Sequence, residues 1–128
     1  MANIPADLRY TKDHEWVKVE GETATIGITD YAQHALGDVV YVDLPSVGKS
    51  FKAHETIGSI ESVKAVSDVF TPVSGEITEV NESLGDTPEN VNEDAYGAWI
   101  AKFKLDNAAE VEELMDAKSY EEFVEANS

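Results

Sequence analysis

The stretch "GSIESVKAVSDVFTPVSG", residues 58–75, decides how this chain folds. It reads as two strands joined by a tight turn, with Lys64 at or near the tip. Ser59, Ser62, Ala65 and Ser67 are small and leave the backbone around the lysine accessible. The whole chain carries nine basic residues against 26 acidic ones, so a lysine set at the end of a hairpin calls for an explanation.

Working outward, more short strands appear. "HEWVKVEGETATIGI", from residue 14, alternates apolar and polar residues through Val17 and Val19, turns at Gly21-Glu22, and alternates again through Ala24, Ile26 and Ile28. Residues 1–9 before it look like a short arm. "TDYAQHALGD" predicts one or two helical turns, opened by Thr29 or Asp30 and closed by Gly37. "VVYVDLPSVGKS" is a strand ended by Pro45 and Gly48, and "EITEVNE" is another. "SLGDTPENVNEDAYG" has the Gly, Pro, Asn and Asp content of a loop. In "AWIAKFKL", Trp99, Ala101, Phe103 and Leu105 share one predicted face, which puts Trp99 in the core. Many short strands with turns between them predict a mainly β fold, a small sandwich or barrel. Residues 106–128 change character. Val111, Leu114 and Met115, then Tyr120, Phe123 and Val124, repeat a helical spacing, predicting two short helices broken near Ser119 and packed on the barrel.

At 128 residues the chain is one domain's worth, with a core centred on 23–105 and the helical segment at 106–128. Its formal net charge of −17 argues against nucleic acid and anionic membranes as partners. The absence of cysteine excludes disulfides, zinc–thiolate sites and thiol nucleophiles. No apolar run approaches the ~20 residues that span a bilayer, and the first residues do not read as a signal peptide. A cytoplasmic monomer is the expectation, ahead of a mature form from the mitochondrial matrix.

Enzyme readings find little support. His14, His34 and His54 are scattered and lack a metal-binding spacing, no G-x-S-x-G or G-x-G-x-x-G occurs, and carboxylates are too common to single out a pair. Lys64 is another matter. An exposed lysine amine is mostly protonated at neutral pH, which makes it a poor nucleophile alone, but a turn can present it to another enzyme as an acyl acceptor. Gly48, sixteen residues before it, and Gly75, eleven after, mark backbone that turns with positive φ or approaches a neighbouring strand closely.

Four blocks, taken together, resemble one family. "ESVKAVSD" with "TPVSGEITEVN" resembles the attachment hairpin of the glycine cleavage system H proteins, and "YTKDHEWVKVE" resembles their N-terminal signature. "ATIGITDYAQHALGDVVYVDLPSVG" and "ENVNEDAYGAWIAKFKL" are similar to the family's central block and closing strand. The resemblance runs from about Tyr10 to Val124. It implies a barrel-sandwich hybrid of the lipoyl-carrier type, with short peripheral helices and a C-terminal helical segment. It implies lipoic acid in amide linkage on Lys64. Glu61 and Gly75 fall where modifying enzymes read and meet the hairpin, and Glu15 is a candidate for docking the loaded arm. The implied role is non-catalytic: carrying the aminomethyl group of glycine from a pyridoxal-phosphate glycine decarboxylase to a tetrahydrofolate-dependent aminomethyltransferase. Dihydrolipoamide dehydrogenase would reoxidise the arm, and lipoylating enzymes would install it. Rival readings are a biotinyl carrier, which usually has methionines beside its lysine where Val63 and Ala65 stand here, a lipoyl relay to other complexes, and an unmodified interaction module.

Overall fold

A computed structural model describes residues 4–107 and 109–127. Among these residues nine strands and five short helices follow one another: β1 (Arg9–Tyr10), β2 (Glu15–Glu20), β3 (Thr23–Ile28), α1 (Asp30–Leu36), β4 (Val39–Asp43), β5 (Ser50–Phe51), β6 (Thr56–Ser62), β7 (Val66–Phe70), β8 (Gly75–Val80), α2 (Ser83–Asp86), α3 (Asn90–Glu93), β9 (Ala101–Leu105), α4 (Ala109–Glu112) and α5 (Ala117–Asn127). All pairing is antiparallel. One sheet has six strands in the order β1-β2-β3-β9-β8-β5, and the other has three in the order β4-β6-β7. The two sheets form the barrel-sandwich, and the Lys64 hairpin is the β6–β7 pair of the smaller one.

The alternation read from the sequence accounts for the main core. Val17, Ala24, Ile26, Val42, Ile60, Val69, Ile77 and Phe103 meet between the sheets. Gly48 takes φ +91°, and a Cβ on Gly75 would lie 2.2 Å from the Lys104 carbonyl oxygen, so each glycine has one of the two reasons expected of it. α1 begins and ends as its sequence predicts. Thr29 accepts the Ala32 N–H, and Gly37, at φ +83°, donates to the Gln33 carbonyl.

Three expectations are corrected. The segment read as a loop contains α2 and α3, single turns that bury Leu84 and Val91 in the core. The break in the C-terminal segment comes before Ala117, not at Ser119: Asp116 caps α5 by accepting the Ser119 N–H at 2.8 Å. Trp99 is only half-buried, because β9 starts at Ala101 and the alternation does not reach back to it. It packs instead on a second apolar cluster built from Leu8, Tyr10, Trp16 and Tyr120. That cluster holds the C-terminal segment in place, for Tyr10 and Met115 exchange both backbone hydrogen bonds and the Tyr10 and Tyr120 rings stack at 4.6 Å.

Candidate functional site

Lys64 lies in the turn between β6 and β7 and is exposed. The turn is held from beneath. The Ser62 N–H donates to the Ala65 carbonyl at 2.8 Å, and the Ser62 hydroxyl oxygen accepts the Ala65 and Lys64 N–H groups at 3.1 and 3.3 Å. The Val63 N–H donates to the Asp38 carbonyl at 3.0 Å and so moors the tip to the loop after α1. The Lys64 side chain makes no ion pair among the described residues. Its aliphatic stem passes over Gly37, where an added Cβ would stand 3.3 Å from Lys64 Cε. Glycine at that point both tolerates the positive φ and leaves room for the stem.

The loop under the tip is fixed by Asn92 of α3. Its Oδ1 accepts the Val39 N–H at 2.8 Å, and its Nδ2 donates to the Gly37 carbonyl at 2.8 Å and to Gln33 Oε1 at 3.0 Å. One amide therefore joins the end of α1, the start of β4 and, through Asp38, the hairpin tip. Nothing in the reading of residues 83–97 as a loop singled out Asn92, whose partners lie more than fifty residues away in sequence.

Beside the hairpin runs a cleft of about 170 Å³, lined by Ile28, Ala32, Leu36, Ile60 and Val69, with Glu15 and Asp68 among its polar groups. Glu15 is 2% exposed. Its Oε1 accepts the Thr11 hydroxyl at 2.7 Å, and its Oε2 accepts the Phe70 N–H at 3.3 Å. Burial pushes its pKa from 4.5 up to about 7, against the two hydrogen bonds, which pull it down, and with a smaller contribution from nearby Asp13. A mainly apolar cleft with one buried carboxyl in its lining suits an aliphatic chain with a cationic end.

Lys64 and the cleft that holds Glu15 both border α1. The stem of Lys64 lies over the last turn of the helix whose Ala32, Ala35 and Leu36 wall the cleft. Glu61 sits on β6, three residues before Lys64, in register with Tyr41 of β4 and Val66 of β7. Tyr41 and Val66 are exposed, so Glu61 is bordered by an accessible apolar surface beside the tip. Gly75 is on β8, in the other sheet. Thr11 and Asp68 were not singled out by the sequence; only their place around the buried Glu15 distinguishes them from ordinary polar residues. Among the described residues no cluster of three or more His, Cys, Asp or Glu is arranged to hold a metal, and no helix is long and apolar enough to cross a membrane.

A family model described as "Glycine cleavage H-protein" matches residues 8–127. The chain belongs to the glycine cleavage H-protein family. The chain is 55% identical over 120 residues to the glycine cleavage system H protein of Acidobacterium capsulatum, covering 94% of this chain and 93% of that one. It is 52% identical over 124 residues to that of Symbiobacterium thermophilum, covering 96% and 97%. A solved glycine cleavage system H protein from Mycobacterium marinum superposes with a TM-score of 0.84 at 42% identity, over 91% of this chain and 95% of that one. H proteins are lipoyl carriers of the glycine cleavage system and work with its other components. They are carriers, not catalysts.

Proposed function

We propose that this chain carries a lipoyl group on Lys64 and with it moves the aminomethyl group of glycine from glycine decarboxylase to aminomethyltransferase. The observation that carries the reading is the course of the Lys64 stem: it lies over Gly37, toward the helix that walls the Glu15 cleft. Lys64 has the exposure that a foreign active site needs, and the apolar walls beside it fit an aliphatic arm. When bound, the lipoyl group supplies the dithiol–disulfide chemistry that accepts and releases the aminomethyl group in the partner enzymes.

The residues of the chain itself bind and shield. Glu15 holds the cationic end of the loaded arm by a charge-assisted contact in a site with little water. With its pKa near 7, Glu15 is part-protonated at neutral pH, and a cation beside it draws the proton off. Glu61 and the exposed flank around it are read by the lipoylating enzymes. Gly75 acts on the hairpin indirectly, by letting β8 close against β9. Dihydrolipoamide dehydrogenase completes the set of partners, and the chain works as a monomer in the cytoplasm.

Intact mass and peptide mapping of protein from its native host test the reading. A single lipoyl increment on the Lys64 peptide, lost in Lys64→Arg with the melting curve unchanged, is the expected result. Unmodified protein from a lipoate-replete native host would leave only an interaction module. A lipoylated protein that fails to support glycine decarboxylation but donates its lipoyl group to other proteins would make it a relay.

A further inference from the structure

The C-terminal helix meets the rim of the cleft at His14, by the Tyr120 hydroxyl and by ring packing. Tyr120 Oη lies 2.8 Å from His14 Nδ1 and 2.7 Å from Thr29 Oγ1. His14 belongs to the turn that delivers Glu15: its backbone is left-handed at φ +66°, its N–H donates to the Thr11 carbonyl, and its carbonyl accepts the Thr29 N–H. Thr11 in that turn is also the residue whose hydroxyl holds the Glu15 carboxyl. Thr29 caps α1, the wall of the cleft.

We propose that Tyr120 is a positioning residue for the arm cleft, latching α5 at once to the turn that presents Glu15 and to the first turn of the helix opposite. The inference rests on the reading of Glu15 as the docking carboxylate. The latch accepts either proton arrangement. With Nδ1 of His14 bare, the Tyr120 hydroxyl donates to it and Thr29 donates to Tyr120. With Nδ1 carrying its proton, His14 donates to Tyr120 and Tyr120 donates to Thr29. Thr29 is fully buried and His14 half-buried, so without the hydroxyl the latching bond of each is left without its partner. The ring of His14 is packed by Tyr31 of α1 and by Tyr120 and Phe123 of α5, with Asp13 the charged neighbour in its own turn. α5 therefore covers the turn from outside and keeps water from the rim beside Glu15.

The test uses the full chain with Tyr120→Phe, which keeps the stacking on Tyr10 and removes the hydroxyl. The Glu15 carboxyl is titrated by carbon NMR in unmodified protein. The expected result is a fall in its pKa by roughly one pH unit, a tenfold change in proton affinity, as the loosened turn admits water. In lipoylated protein charged with the aminomethyl group, spontaneous hydrolysis is expected to run severalfold faster. That reaction adds water across the C–S bond and yields formaldehyde, ammonium and the free thiol. Lipoylation of Lys64 itself stays unchanged. His14→Asn, which tolerates the left-handed turn but withdraws the ring, is expected to move the Glu15 titration the same way. A lower melting temperature with the Glu15 titration unmoved in both variants would overturn the latch and leave α5 a packing element. Glu15→Gln separates the two readings. If it leaves the hydrolysis rate of charged protein unchanged, the docking role of Glu15 fails, while the latch is still judged on the titration.

Discussion

Glu15 is buried with partners that carry no charge, the Thr11 hydroxyl and the Phe70 N–H. That is an unfavourable place for a carboxylate, and the cost has a definite sign with pH. Its pKa is about 7 in the folded chain against an ordinary 4.5, so between those values the folded state holds the proton more tightly than the unfolded one. Stability therefore falls as pH rises through this window, and the penalty is complete above about 7. It corresponds to roughly 3 kcal/mol. Glu15→Gln removes the charge but keeps an acceptor for Thr11. We expect it to be more stable than the wild type by about 1–3 kcal/mol at pH 8, with the gain fading toward pH 4.5. Urea denaturation of both proteins across that range measures the difference. A gain that stays flat with pH would mean that Glu15 is not the buried titrating group. Such a cost is easier to understand if a cation visits the site, and "DHEW" alone gave no sign of it: burial depends on α1 and β7, which are distant in sequence.

Among the elements, those that alternate were legible and those that anchor were not. β2, β3 and β9 came from apolar periodicity, β6 and β7 from the turn between them, and α1 from Thr29 and Gly37 at its ends. The single turns α2 and α3 hid in a polar composition, because each contributes only one buried apolar side chain, Leu84 and Val91. α3 matters because it places Asn92. Asn92→Ala would leave the Val39 N–H and the Gly37 carbonyl without their partner, which costs about 1–3 kcal/mol per buried group. We expect a lowered denaturation midpoint together with a raised KM for the apo-protein in lipoylation, since Asp38, which moors the tip, sits between the two released residues. Unchanged kinetics in a destabilised protein would show that the tip does not depend on that loop. Gly75→Ala tests the other sheet. With the Lys104 carbonyl 2.2 Å from the new Cβ, β8 and β9 must part, and we expect a loss of stability of about 2–4 kcal/mol, read by the same denaturation.

At the scale of the whole molecule, the hairpin pairs β2–β3 and β6–β7 were legible in the sequence, while the short strands β1 and β5 and the pairings between distant strands were not. β3 pairs with β9 across more than seventy residues, and the short β5 joins the edge beside β8; both pairings come from packing the two sheets, not from local pattern. Charge, in contrast, is set by composition alone. A net −17 on a chain this size repels itself, which destabilises the compact form, and salt screens that repulsion. The same charge would draw a partner that docks through a basic face, and salt would screen that attraction too. Raising ionic strength from about 0.05 M to about 0.5 M shortens the screening length from roughly 14 Å to roughly 4 Å. Two effects of opposite benefit should follow. The unfolding midpoint rises, while the KM of the apo-protein for a lipoylating enzyme rises severalfold with kcat little changed, because steering weakens and the chemistry at Lys64 does not. Thermal melts and steady-state lipoylation over the same salt series measure both. A midpoint that rises while KM stays flat would mean that the negative surface serves solubility alone and that partners dock through the apolar flank of the hairpin, around Tyr41, Val63 and Val66, which salt does not screen.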